Sequence, residues 1–227
     1  MPGLTLMRKI LLTILSLSAT VLIATNVHAT GTSGLESLES FVKTAKSGRA
    51  AFTQTVTSPP KDGQAPRVKT SSGTFEFLRP NRFKFLYTKP FEQSIVADGQ
   101  TLWLHDVDLN QVTARKQAAV LGSTPAALIA AAPDLKALQA DFNLESQPAA
   151  ASDKDSLQWV LATPKTKDGQ LQSVRVGFKG SELAALEILD SFGQRSVIRF
   201  SKLDVNAPIA AEAFQFKPPT GADVIRQ

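Results

Sequence analysis

Alternation of apolar and polar residues dominates the chain beyond residue 50 and predicts a mainly β protein of the α+β type. The segments with a two-residue period follow one another without the regular intervening helices of a βαβ protein. Turn-forming pairs separate several of them, namely Asp62-Gly63, Asp98-Gly99, Asp168-Gly169 and Phe192-Gly193. The eleven predicted strands are Ala51–Thr57, Lys69–Leu78, Arg82–Thr88, Gln93–Ala97, Thr101–His105, Gln111–Arg115, Phe142–Gln147, Leu157–Thr163, Leu171–Phe178, Leu183–Asp190 and Arg195–Leu203. Many short strands joined by tight turns predict one large antiparallel sheet that curls to cover its own apolar face.

A helix is predicted over residues 34–46, ahead of the first strand. Leu35, Leu38, Phe41 and Val42 repeat at the spacing of one helical face, and a glycine follows the run. We therefore expect this helix to lie with its apolar face on another element.

A second, shorter helix is predicted within residues 123–133, which contain no charged side chain. The run starts with a Ser-Thr pair that can cap a helix and with Pro125, which suits the first helical position, and it ends at Pro133. A helix that is apolar on every face must be covered on more than one side, so Leu128 and Ile129 need neighbours. The segment is either a plug in an ordinary core or a lid that closes over an apolar cavity.

The first 29 residues have the pattern of a cleavable secretory signal. Arg8 and Lys9 precede an apolar stretch, Ile10–Ile23, and Val27-His-Ala29 ends the segment with small residues. The apolar stretch is shorter than the roughly 20 residues of a membrane span and contains hydroxyl side chains, which disfavours an uncleaved anchor. The mature chain, residues 30–227, is therefore predicted to be one exported domain, and the expected compartment is the periplasm of a Gram-negative bacterium.

Composition removes several classes of function. The chain has no cysteine, so disulfides, cysteine-ligated metals and thiol nucleophiles are excluded. Its net charge is only +5, part of which comes from Arg8 and Lys9, and this is too small for a dedicated nucleic-acid binder.

An enzyme is the main alternative from another class. His105 is the only histidine after the predicted signal, and a catalytic triad would have to be built around it, but no Gly-x-Ser-x-Gly motif is present. Asp106 and Asp108 lie nearby, yet one histidine and two carboxylates in a turn make a poor metal site. We therefore predict no catalytic activity, no cofactor and no bound metal.

Two neighbouring strands each present a row of aromatic rings on one face. Phe75 and Phe77 share one parity on the first strand, and Phe83, Phe85 and Tyr87 share one parity on the second. Such a face is either the core of a sandwich or the lining of a cavity.

The turn between these two strands contains a conspicuous arginine, Arg79. If the pleat persists, Arg79 has the parity of Phe75 and Phe77 and points inward at the rim of the apolar surface. An unpaired buried guanidinium is very costly, so it would need acceptors there. The alternative is a solvent-facing arginine in a hairpin turn.

An ordered set of short motifs runs through most of the predicted mature chain. The central ones are Gly73-Thr-Phe-Glu-Phe-Leu-Arg-Pro-Asn-Arg-Phe-Lys-Phe85, Ile95-Val-Ala-Asp-Gly-Gln-Thr-Leu-Trp103 and Asp108-Leu-Asn-Gln-Val112, with Phe52-Thr-Gln54, Ser123-Thr-Pro-Ala-Ala-Leu-Ile-Ala130 and Phe214-Gln-Phe-Lys-Pro-Pro219 around them. In this order they resemble the LolA family of periplasmic outer-membrane lipoprotein carriers. The chain departs from the family at Phe85, where a tryptophan is expected, and in its long polar loop between Pro59 and Lys69.

The resemblance implies an incomplete, strongly curved antiparallel β-barrel with a helical lid over an apolar cavity. The lining expected for that cavity is Phe75, Phe77, Phe83, Phe85, Tyr87, Ile95, Leu102 and Leu104, and the lid would include Pro125, Leu128 and Ile129. In the family, the arginine that matches Arg79 hydrogen-bonds the lid in the empty form, and the aromatic residue that matches Phe83 lies near the cavity mouth.

The function implied by the resemblance is transport of lipoproteins between two membranes. Such a carrier accepts acylated lipoprotein cargo from an inner-membrane ABC transporter, the lipoprotein-releasing complex, and delivers it to an outer-membrane lipoprotein receptor. We expect a monomer. The alternative is a receptor-like or sensor-type lipid- or lipoprotein-binding module of the same fold, but a receptor needs its own lipid anchor, and the predicted mature chain does not start with a cysteine.

Overall fold

The computed structural model describes residues 33–60, 63–121, 130, 132–149, 155–166 and 169–227. They belong to one compact unit, Gly31–Gln227. Within these ranges, no helix combines the length and the apolar character that crossing a bilayer requires. The predicted secretory signal, and Pro125, Leu128 and Ile129 of the predicted lid, lie outside the described residues.

Strands make up most of the described chain. Strands β1 to β6 are Ser47–Ser58, Arg67–Leu78, Arg82–Lys89, Gln93–Asp98, Thr101–Asp106 and Gln111–Lys116. Strands β7 to β13 are Phe142–Gln147, Gln158–Pro164, Leu171–Lys179, Glu182–Asp190, Arg195–Phe200, Asp204–Val205 and Asp223–Arg226. The helices are α1, Gly34–Thr44, α2, Gln117–Leu121, and α3, Leu135–Asp141, and a 3-10 helix spans Ala211–Phe214.

The strands form a single curved and unclosed sheet. Their order is β13-β6-β5-β4-β3-β2-β1-β11-β10-β9-β8-β7, and β12 pairs with β1 outside this sequence. Neighbouring strands are antiparallel, except that β13 runs parallel to β6. The predicted β-rich fold with a curved antiparallel sheet is therefore confirmed, and all eleven predicted strands are present.

The sequence analysis did not predict two of the strands. Strand β12 has two residues and β13 has four, which is too short for alternation to be recognised. The last predicted strand was too long, because β11 already ends at Phe200.

Helix α1 forms where its apolar spacing predicts it. A capping box fixes its start: the Ser33 hydroxyl accepts from the Glu36 amide at 3.2 Å, and the Glu36 carboxylate accepts from the Ser33 amide at 2.8 Å. Leu38, Phe41 and Val42 are buried on the side that faces the sheet. The helix thus packs its apolar side on the concave face of the sheet, as its sequence predicts.

Helices α2 and α3 were not predicted, because five and seven residues are too few for a convincing helical period. The side chain of Asp134 caps α3 by accepting from the Ala137 amide at 2.8 Å. Leu138 of α3 joins the same buried cluster as α1.

The opposite, convex face of the sheet is covered in part by the C-terminal segment. The ring of Phe216 lies 5.3 Å from that of Trp103 and 5.8 Å from that of His105. The Lys84 ammonium donates to the backbone oxygen of Ala213 at 3.3 Å, within the 3-10 helix. These contacts hold the chain beyond β12 against β3 to β5.

Glu76 is a buried carboxylate on this convex face, next to Arg49 and Lys84. Its two oxygens accept from the Arg49 guanidinium and, at 2.9 Å, from the Lys84 ammonium. Burial alone would raise the pKa of Glu76, but the hydrogen bonds and charges of Lys84 and Arg49 outweigh burial and hold the pKa below its usual value.

The free energy of unfolding is therefore expected to fall as the pH is lowered below about 4.5, the ordinary value for a glutamate. A carboxyl with a lowered pKa in the folded state stabilises the protein above its unfolded-state pKa, and that contribution is lost as the pH falls through the folded-state value. Glu76→Gln should lower stability by about 1–2 kcal/mol at pH 7 and flatten the acid dependence. Urea unfolding between pH 3 and 7 measures both effects. Glu145→Gln, at an exposed position, provides the control. If Glu76→Gln left the pH dependence unchanged, Glu76 would not be the source of the acid sensitivity.

Candidate functional site

The concave face carries residues in rows that cross strands β2 to β5. Strand pairing places them side by side, because residues paired across an antiparallel ladder share a face of the sheet. The first row is Phe77, Phe83, Ala97 and Leu102, and the second row is Phe75, Phe85, Ile95 and Leu104. A third row, which begins on β1, is Phe52, Gly73, Tyr87, Gln93 and Asp106. The eight residues predicted from the sequence as a cavity lining all lie in these three adjacent rows.

The rings of the first two rows pack against one another. The ring centroids of Phe75 and Phe85 are 4.5 Å apart, and those of Phe75 and Phe77 are 5.8 Å apart. Phe41 of α1 covers this group, with its ring 5.9 Å from that of Phe77. Aromatic pairs in such tilted or stacked arrangements stabilise by more than their buried area alone.

Burial changes along the rows. Phe75 and Phe77 have no exposed surface, whereas Tyr87, Ile95 and Leu104 are only partly buried and pack against the same cluster. The first row is therefore tightly packed in this conformation. A hydrocarbon chain can enter between these rings and α1 only if the covering helices move away from the sheet.

Arg79 links three separate parts of the chain. Its Nε donates to the backbone oxygen of Ala45, at the C-terminal cap of α1, at 2.8 Å. One terminal nitrogen donates to the backbone oxygen of Ala132, ahead of α3, at 2.6 Å. Hydrogen bonds from a charged donor are the stronger kind. These contacts therefore favour the closed arrangement, in which the end of α1 and the residues ahead of α3 lie on the concave face.

The guanidinium of Arg79 also lies against the aromatic cluster. Its central carbon is 5.5 Å from the ring centroids of both Phe41 and Phe77. Burial lowers the pKa of Arg79 to about 10, which still leaves the group charged at neutral pH. The arginine is thus a cation at the rim of the apolar face, on the side that strand parity indicates, and not a solvent-facing turn residue.

Of the predicted lid segment, Pro125, Leu128 and Ile129 lie outside the described residues. The described residues next to it, Ala130 and Ala132, are buried in the same cluster as the aromatic rows. Residues at the end of the predicted lid segment therefore pack on the concave face.

The histidine of the alternative enzymatic site does not come together with the carboxylates near it in the sequence. His105 contacts Phe216 on the convex face, whereas Asp106 belongs to the third row of the concave face. Within the described ranges, no three residues with histidine, cysteine or carboxylate side chains are grouped in a way that could hold a metal ion.

Sequence reasoning missed the polar part of the concave face. Gln93 and Asp106 extend the third row beyond Tyr87, and Gln54 pairs with Ser71 one step further along β1 and β2. The parity of each predicted strand contained this information. It could be read only once the register between the strands was known, because a shift of one residue reverses the face.

The sheet is curved and unclosed, and aromatic rings line its concave side. Helices cover that side, and Arg79 holds them there by hydrogen bonds. These features define a class of β-rich proteins whose apolar concave face is covered by helices. The comparisons with known proteins agree with this class. The family model for the outer membrane lipoprotein carrier protein LolA matches residues 43–217. The chain therefore belongs to the LolA family, whose members carry lipoproteins through the periplasm.

Individual relatives are similar over almost their whole length. The outer-membrane lipoprotein carrier protein of Albidiferax ferrireducens is 71% identical over 213 residues, which cover 92% of this chain and 98% of the relative. The protein of the same name from Methylibium petroleiphilum is 53% identical and covers 93% of this chain and 97% of its own. Among solved structures, a LolA superfamily protein from Nitrosomonas europaea is 13% identical, with a TM-score of 0.44, and covers 81% of this chain and 98% of its own.

Proposed function

We propose that this chain binds the acyl chains of lipoproteins released from the inner membrane and carries them to an outer-membrane receptor. The observation that supports the proposal is the concave aromatic surface, formed by Phe75, Phe85 and their row neighbours, with partly buried residues at one end. Such a surface offers a hydrocarbon chain an apolar environment once α1 and α3 move away.

The energetics explain why lipoproteins need a carrier. Each buried methylene group is worth about 0.8 kcal/mol, so exposing one acyl chain of roughly fifteen carbons to water costs on the order of 10 kcal/mol. Transfer from a bilayer into a protein interior replaces one apolar medium by another and is nearly neutral. The direction of transport must therefore come from partners, and we propose an inner-membrane ABC transporter on the donor side.

Residues 1–29 are proposed to direct export to the periplasm and to be removed there, and residues 30–227 to act as a single domain. The mature protein is proposed to work as a monomer without catalytic activity. A receptor-like or sensor-type module of the same fold is the competing proposal. The absence of cysteine disfavours a lipid-anchored receptor, because no thiol is available to carry the anchor.

Arg79 is proposed to act as the latch of the empty form. By donating to Ala45 and Ala132 it stabilises the closed arrangement, so the closed and loaded states differ less in free energy and release stays feasible. Pro125, Leu128 and Ile129 are proposed to belong to the lid that this arginine holds.

The proposal predicts that the protein copurifies with acylated polypeptide. The full chain would be expressed in a Gram-negative host, purified from the periplasm and analysed by mass spectrometry for bound lipid-modified species. Recovery of soluble metabolites alone would contradict the proposal.

Two neighbouring substitutions provide a matched comparison. Phe85→Asp places a charge in the second row, and we expect it to abolish copurification because a carboxylate among buried rings opposes hydrocarbon binding. Leu86→Asp changes the next residue, which is 40% exposed and points to the other face, and should retain the cargo. Circular dichroism verifies that both variants are folded.

A further inference from the structure

The inward-facing side of the sheet changes from apolar to polar along every strand from β1 to β5. On β1, Phe52 is followed by Gln54, and on β2, Phe75 is followed at the same parity by Gly73 and Ser71. The same change is repeated on three further strands, from Phe85 to Tyr87, from Ile95 to Gln93 and from Leu104 to Asp106. Five neighbouring strands thus turn polar within two adjacent rows, which lie at the end of the sheet opposite Arg79.

The polar residues line one groove that adjoins the aromatic rows at Tyr87. The groove has a volume of about 560 Å³, and its lining includes Gln54, Ser71, Tyr87, Gln93 and Asp106, which we call the polar end. Tyr87 belongs to both regions, because its ring lies 5.0 Å from that of Phe52 and packs against the buried cluster. Once the covering helices move away from the rings, a ligand could therefore extend from the rows of rings past Tyr87 into the groove.

Several groups of the polar end have unused hydrogen-bonding capacity. The side chains of Ser71, Tyr87 and Gln93 form no hydrogen bond with any residue that the structure describes. Gln54 donates to the Ser196 hydroxyl at 2.6 Å and keeps its carbonyl oxygen available. The hydroxyl and amide N–H donors suit ester and peptide carbonyl groups, and the amide oxygens suit peptide N–H groups.

Among the described residues, carboxylates alone supply the charge of this groove. Glu92, Asp106 and Asp108 line it, and no lysine or arginine of the described chain does. None of the ion pairs between described residues includes these three acids. The groove therefore repels a phosphate group and accepts N–H donors or a cation.

We propose that the polar end binds the ester-linked glyceryl group and the adjoining peptide amides of a lipoprotein, while its acyl chains lie along the second and first rows toward Arg79. This inference rests on the proposed carrier function and adds an orientation and a selectivity to it. A phospholipid offers the same acyl chains and glyceryl esters, but its phosphate would face three carboxylates. The groove thus favours a lipid-modified polypeptide over the anionic phospholipids of the membrane from which that polypeptide is taken.

The first test measures dissociation constants of the processed full chain for a synthetic diacylglyceryl-cysteinyl peptide. Gln93→Leu is expected to weaken binding about five- to tenfold, the effect of one lost hydrogen bond. Gln100→Leu, in the turn at the opposite end of the sheet, is the matched control and should change binding less than twofold. Equal affinities of Gln93→Leu and the natural chain would overturn the inference, whereas no binding by the natural chain would overturn the carrier function itself.

A second readout separates hydrogen bonding from general damage. Binding of pyrene, a hydrocarbon without polar groups, should be the same for Gln93→Leu and the natural chain. If Gln93→Leu lowers the melting temperature, Ser71→Ala repeats the test at a half-buried position of the same groove. A parallel loss of pyrene and lipopeptide binding in both variants would count against a polar subsite.

The selectivity is tested with phosphatidylglycerol as the competing lipid. The triple substitution Glu92→Gln, Asp106→Asn and Asp108→Asn should tighten phosphatidylglycerol binding by at least about fivefold at low salt, and added salt should reduce the difference. The lipopeptide affinity should change far less. Unchanged phosphatidylglycerol binding by this variant would show that the carboxylates do not select between the two lipids.

Discussion

Arg79→Leu is expected to load an acylated peptide as well as the natural chain does and to release it about ten- to a hundredfold more slowly. The leucine removes the hydrogen bonds to the backbone oxygens of Ala45 and Ala132. Hydrogen bonds of a charged donor contribute about 1.5–3 kcal/mol, and every 1.4 kcal/mol is a factor of ten in an equilibrium constant. Without them the closed empty state loses stability, so the loaded state becomes relatively more favourable.

The measurement follows transfer of a fluorescent diacylated peptide from the protein to acceptor vesicles by stopped flow. Arg82→Leu is the matched control, because Arg82 lies three residues further on and its neighbour in the ladder is Asp98 rather than a concave-face residue. Arg79→Lys keeps the charge but lacks the planar fork of donors, so it should fall between leucine and arginine. Release from Arg79→Leu at the natural rate would refute the role of Arg79 as a latch.

Phe75→Ala is expected to lower the free energy of unfolding by about 3–5 kcal/mol, the usual cost of emptying a buried aromatic site. Phe75 has no exposed surface, and its ring contacts those of Phe77, Phe85 and Phe200. A bound acyl chain should restore part of this loss, because methylene groups can fill the space that the ring leaves.

Chemical denaturation with and without the diacylated peptide tests both statements. Phe192→Ala provides the control, since Phe192 is 70% exposed and its truncation should cost no more than about 0.5 kcal/mol. A similar, small effect of both substitutions would mean that the rows are open in solution and not packed as described.

Local patterns were sufficient for the strands and for the aromatic rows. Alternation reports which side chains share a face, so the sequence placed Phe75 and Phe77 on one face of one strand and Phe83, Phe85 and Tyr87 on one face of the next. The structure then shows that Phe75 and Phe85 lie side by side. The parity of Arg79 likewise indicated an inward direction. In each case the information is contained in fewer than about twenty consecutive residues.

Long-range contacts had no such signal. The acceptors of Arg79 are backbone oxygens 34 and 53 residues away in the chain, and a backbone carbonyl looks the same in every sequence. The pairing of β13 with β6 joins segments that no local pattern connects. Nearness in the sequence also grouped His105 with Asp106, although adjacent residues in a strand point to opposite faces.

The four residues of β13 have a consequence for how copies of this protein behave when crowded together. An open sheet leaves its outer strand available as a template for pairing with another molecule. Here the outermost segment beside β6 is short and has Asp223 and Arg226 at its two ends. A short edge strand with charged ends discourages pairing into fibres, so this edge of the sheet can stay unpaired without causing aggregation.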